Sequence, residues 1–114
     1  MVVNDIDDHT TVITVRGELD LATAPRLKWP LVDAIDSGRD RLVVDLADVT
    51  FMDSTALGVL IGARRSLGPT AHMAIICANA DVLKIFEISG LDVAFRIFPN
   101  CNEGLEYLQE DPPR

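Results

Sequence analysis

Only two cysteines, Cys77 and Cys101, stand in the 114 residues, too few for the disulfide framework of a small secreted module. There is no Cys-x-x-Cys, and the two histidines, His9 and His72, are far apart, so no metal site is expected. Basic residues are also scarce. Ten Lys and Arg face 18 Asp and Glu, a formal net charge of -8. Sequence-independent nucleic-acid binding needs clustered cations against phosphate, and this balance argues against it. An acidic surplus fits protein partners instead. No apolar run approaches the length of a membrane span, and Met1 to Asp5 carries no basic leader. A cytoplasmic protein that needs neither membrane nor cofactor is the expectation. Internal repeats, linkers and low-complexity tracts are missing too, so residues 1–114 read as one domain, with 110–114 as a flexible tail.

What is present is an alternation of strand and helix signals. Val2 to Ile6 predicts an edge strand, Asp7-Asp8-His9 a turn, and the alternating Thr11 to Arg16 a second strand, together an antiparallel hairpin. Gly17 to Leu21 either continues that strand or leaves it as a loop. Thr23 reads as the N-cap of a helix with Pro25 in its first turn. That helix extends to Asp36, and Ser37-Gly38 ends it. Pro30 conflicts with it and predicts a bend near Lys28 and Trp29. Leu27, Leu31, Val32 and Ile35 nonetheless keep a helical spacing. Trp29 suits packing or partner contact equally.

Arg41 to Leu46 is a β-branched run of the buried-strand kind. A short loop is expected to follow, then a helix from Thr55 to Gly68 that Pro69 stops. His72 to Cys77 predicts a strand, Asp81 to Ser89 a helix, Phe95 to Phe98 a short strand, and Cys101 onward a terminal helix. The fold class is therefore α/β. An N-terminal β-hairpin is followed by alternating helices and strands, forming a mainly parallel sheet of about five strands with helices packed against it.

The segment around Asp53 and Ser54 carries the functional reading. Asp53 is a good N-cap, which places the Ser54 hydroxyl at the first helical position, where the helix dipole favours added negative charge. At about 100° per residue, Leu57, Leu60, Ala63 and Leu67 share a core face, while Thr55, Gly58, Gly62, Arg65 and Ser66 point outward. Each helical glycine costs about 1 kcal/mol relative to alanine. Close approach of a partner's backbone would explain both, with Val59 and Ile61 as apolar shoulders. The plainer reading packs a neighbouring loop on them.

Phe51 to Leu60, read Phe-Met-Asp-Ser-Thr-Ala-Leu-Gly-Val-Leu, resembles the signature of STAS domains of the anti-sigma factor antagonist group. Gly17-Glu18-Leu19-Asp20 and Ile88-Ser89-Gly90-Leu91 resemble two further stretches of that family, in the expected order. The resemblance implies a partner switch. The unphosphorylated antagonist would bind an anti-sigma factor that is also a serine kinase, and a sigma factor would be released. Phosphorylation of Ser54 would end binding, and a PPM-type serine phosphatase would restore it. Asp20 and Asp53 match acidic positions beside the serine, and Thr23 lies in the adjoining loop. With Thr55, Gly58, Val59 and Gly62 they form the expected partner surface. Ala56 stands where many members have glycine, and Pro30 is unusual in the first helix. The alternative within the family is an unphosphorylated scaffold or transporter-complex subunit.

Enzymatic readings fit poorly. Asp20, Asp45 and Asp53 do not follow the receiver-domain order, since the first strand ends in a hairpin and Lys84 lies mid-helix. Ser54 lacks the Gly-x-Ser-x-Gly elbow of a hydrolase nucleophile, and His9 and His72 read as surface residues. Cys77 and Cys101 form a candidate redox pair if their strands are neighbours, with inert thiols as the default.

Overall fold

The computed structural model describes residues 1–68, 71–91 and 95–109. Pro69 and the tail 110–114 lie outside them. In chain order the elements are β1 (Val2–Asp5), β2 (Thr10–Leu19), α1 (Ala24–Asp36), β3 (Arg41–Met52), α2 (Ser54–Ser66), β4 (His72–Ile76), α3 (Ala80–Ile88), β5 (Arg96–Phe98) and α4 (Cys101–Gln109). The strands form one sheet in the order β1-β2-β3-β4-β5. The β1–β2 pair is antiparallel and every later pair parallel. Asp7 closes the hairpin: its carboxylate accepts the amides of His9 and Thr10, both at 2.8 Å.

The parallel strands are added in one direction, so crossovers of one hand place successive helices on one face. Accordingly α1, α2 and α3 share the larger core with Ile13, Val44, Leu46 and Ile75 of the sheet. Among the described residues, helix α4 alone covers the other face, where Leu108 packs on Val12, Val43, Ala74 and Ile76. The two-residue alternation along β2, β3 and β4 thus serves two cores, which is why these strands read as nearly continuous apolar runs.

Several elements depart from the sequence expectation. Strand β3 does not end at Leu46 but continues to Met52, while β2 takes the longer of its two expected courses, to Leu19. The extra length is irregular. Two register shifts let β3 carry additional residues against β2, one between Thr14 and Arg16 and one between Gly17 and Glu18. Gly17 sits at that point with φ +82°, a conformation glycine adopts without strain. Helix α1, as expected, runs through Pro30 to Asp36 as one element. The missing amide forfeits one bond, to the Arg26 carbonyl, and burial of Leu27, Leu31 and Ala34 holds the helix. Helix α2 stops at Ser66, so Leu67 lies past its end and is half-buried, while Ala56 joins Leu57, Leu60 and Ala63 inside. Ile88, the last residue of α3, is exposed although apolar. His72 is half-buried, edge-on to Tyr107 at 6.1 Å.

Candidate functional site

The parallel pairing of β2 with β3 brings their two following loops together. Leu19 lies opposite Met52, and the Asp53 amide donates to the Leu19 carbonyl at 3.0 Å. Asp20 and Asp53 therefore emerge side by side at one end of the sheet. Asp53 is extended, and its carboxylate accepts the Thr55 amide at 2.9 Å, capping α2. Ser54 is the first residue of that helix and is exposed. Its hydroxyl stands where the unpaired amides of a first turn and the positive end of the dipole meet solvent.

The Asp20 loop is built by its own side chains. The carboxylate of Asp20 accepts the amides of Ala22 at 2.9 Å and Thr23 at 3.0 Å. Thr23 is the residue before α1, but it gives that helix no side-chain cap. Its hydroxyl accepts the Asp20 amide at 2.9 Å and donates to the Glu18 carbonyl at 2.7 Å. The bonds from Thr23, backbone first and side chain next, hold the Asp20 carboxyl below the usual carboxylate range. Asp20 and Thr23 thus fix the loop next to Ser54.

Two apolar residues at this end were not singled out by the sequence. Leu21, at the tip of the Asp20 loop, is 76 % exposed, and Phe51, near the end of β3, is 48 % exposed. An unsupported leucine in a polar turn was the available signal for the first. The second was hidden because the strand was expected to end before it.

Helices α1 and α2 pack side by side and leave an open groove of about 470 Å³ that starts near Ser54. Thr55, Gly58, Val59 and Gly62 line it from α2, with Leu31, Val32 and Ile35 opposite. Among the described residues, a methyl group added at Gly58 or Gly62 would meet nothing within 4 Å, so no described loop covers either glycine. Ile61 faces the other way, toward Leu91 and Phe95.

Apart from Ile61, the expected partner-surface residues share one end and one flank of the molecule. The cysteines do not join them, or each other. Ile76 belongs to the core under α4, so the next residue, Cys77, points to the opposite core, while Cys101 packs on the α4 side. Both are free thiols, and the sheet separates them, which removes the redox pair. Cys101 lies 3.2 Å from an Asp45 carboxylate oxygen. Burial first, then that neighbouring carboxylate, pushes its thiol up to about 11, away from the reactive thiolate.

The STAS domain family matches residues 1–104 of this chain. The chain belongs to the STAS domain family. It is 41% identical over 86 residues to the anti-sigma-B factor antagonist of Listeria monocytogenes, covering 74% of each chain. An anti-sigma factor antagonist from Mycobacterium paratuberculosis has the same fold, with a TM-score of 0.90 at 27% identity, covering 96% of this chain and 92% of that one. The phosphorylated form of the Bacillus cell fate determinant SpoIIAA shares the fold, at a TM-score of 0.74 and 22% identity over 95% of this chain and 98% of that one. As a STAS domain, the chain shows the hairpin and alternating parallel order that the signature implied. No helix among the described residues is long and apolar enough to cross a membrane.

Proposed function

We propose that this STAS domain is an anti-sigma factor antagonist that works in the cytoplasm as a partner switch. Its unphosphorylated form binds an anti-sigma factor with serine kinase activity, and a sigma factor is released. That kinase transfers the γ-phosphoryl of ATP to the Ser54 oxygen, the hydroxyl proton is lost, ADP leaves, and the complex separates. A PPM-type serine phosphatase hydrolyses the phosphate and restores binding. The observation that carries this reading is the exposed Ser54 hydroxyl on the capped first turn of α2. The relatives named as anti-sigma factor antagonists support it.

The chemistry of the end of the sheet fits the switch. A phosphate adds about -1.5 to -2 charges at neutral pH, and first-turn amides can hold it without a change of fold. Asp53 and Asp20 already stand at that end. Leu21 and Phe51 offer exposed apolar surface that a partner would bury. A partner closing over them would have to desolvate the added charge. A penalty of about 3 kcal/mol weakens binding more than about a hundredfold. Isothermal calorimetry with the purified cognate kinase tests this. Ser54→Ala should bind like the wild type and accept no phosphate, while Ser54→Asp should lose the complex. Equal affinity of Ser54→Asp and wild type would rule the switch out.

A further inference from the structure

Resting on that reading of Ser54, we infer that the α1–α2 groove seats an amphipathic helix of the anti-sigma factor, running antiparallel to both. Three observations specify such an occupant. The first is shape. The groove follows α2 from Thr55 to Ser66, nearly the whole 13-residue helix, about 17 Å at 1.5 Å per residue. That length takes about three turns of a helix. The second is its lining. Val32, Ile35 and Val59 form apolar walls. Gly58 and Gly62, one turn apart, have open space where side chains would stand, so another backbone can come close. An i, i+3 or i+4, i+7 row of aliphatic side chains fits that floor better than an extended peptide, whose side chains alternate.

The third observation is electrical polarity. Both α1 and α2 follow and precede parallel strands, so they point the same way, with their positive ends together beside Ser54. The charged residues lining the groove repeat that gradient: Lys28 stands toward the start of α1, and Asp36 is its last residue. A helix entering antiparallel sets its negative C-terminal end near Lys28 and its positive N-terminal end near Asp36. Phosphate on Ser54 would then face the last carbonyls of the docked helix. It would also cancel the positive field that attracted them. The switch acts at one end of the seat, and nothing else in the fold has to move.

The test measures binding of the purified cognate anti-sigma factor kinase by calorimetry to the full chain and its variants. Gly62→Leu fills the floor more than two helical turns from Ser54, and it should weaken binding by about tenfold or more. Arg65→Leu, exposed but outside the groove, should bind within about twofold of wild type and controls for added apolar bulk on α2. Lys28→Glu and Asp36→Lys should each weaken binding, whereas attraction to a simply basic partner would make the first bind tighter. Hydrogen exchange on the kinase should show new protection confined to one amphipathic helix. Circular dichroism establishes that each variant is folded. If Ser54→Asp abolishes binding but Gly62→Leu, Lys28→Glu and Asp36→Lys bind like wild type, the groove is not the seat, and the switch stands. The seat is equally overturned if kinase binding is unchanged while Gly62→Leu dissolves a dimer of this chain. If the wild-type chain does not bind the kinase, the functional reading fails and this inference with it.

Discussion

Three side chains make the end of β2 and β3 what it is, and each has a separable role. Asp53 caps α2, Asp20 folds the loop beside it, and Ser54 stands exposed at the first position of α2. Asp53→Ala removes the acceptor for the Thr55 amide and should cost about 1 kcal/mol in urea unfolding, with Asp53→Asn costing much less. Asp20 gives a pH signature. Its carboxyl titrates below the usual 3.8 because the folded loop donates to the ionised form. Stability from this group is complete above the unfolded value and lost as pH falls through the folded one. Asp20→Asn keeps an acceptor that does not titrate. Its unfolding midpoint should therefore fall less than that of wild type between about pH 5 and about pH 2. An identical acid profile would show that the loop gains nothing from the charge. Asp53 and the exposed first-turn place of Ser54 were legible from the sequence because cap and first helical residue are adjacent in the chain. The work of Thr23 was not. Its hydroxyl serves the turn behind it through Glu18 and Asp20, a choice that depends on the backbone path.

At the scale of elements, α2 carries a conflict between stability and surface. Gly58 and Gly62 lie in ordinary helical conformation with nothing near an added Cβ. Replacing both with alanine should raise unfolding stability by about 2 kcal/mol in total, the propensity difference alone. No gain on chemical denaturation would mean that the two glycines are already supported. Gly104 in α4 is the opposite case. A Cβ there would stand 2.6 Å from the Ile76 side-chain end, with Phe98 and Ala74 close behind. Gly104→Leu should destabilise the fold by about 1–3 kcal/mol through overpacking under α4. The sequence showed both sets of glycines equally plainly, but only tertiary packing tells an open seat from a tight contact. β3 illustrates the same limit. Arg41 to Leu46 read as a strand, while Ala47 and Asp48 broke the pattern. The strand survives because β2 accommodates the break with a shift of register, a non-local solution. The cysteines were legible in part, since successive strand residues face opposite sides. Ile76 and Cys77 must therefore serve different cores.

For the whole molecule, the order of strands decides where function can be placed. Adding parallel strands in one direction leaves one flank to α1, α2 and α3 and puts the β2 and β3 loops together at one end. The proposed docking surface and the proposed phosphate acceptor become neighbours without any long-range rearrangement. Overall architecture was readable because the alternation of periods is local, and the single crossover hand then limits the topology. The net charge of -8 bears on association as well. Phosphate enlarges an existing negative field, so part of its effect on the on-rate should fade as salt rises, while the desolvation penalty at the closed interface should persist. The most direct measurement is calorimetric binding of the cognate anti-sigma factor kinase to the wild-type chain before and after stoichiometric phosphorylation, with the phosphate located by mass spectrometry. The account predicts phosphate on Ser54 and a loss of affinity of more than about a hundredfold, reversed by a PPM-type phosphatase. Phosphate on Ser54 with affinity unchanged, or modification at another residue with the same loss, would contradict it.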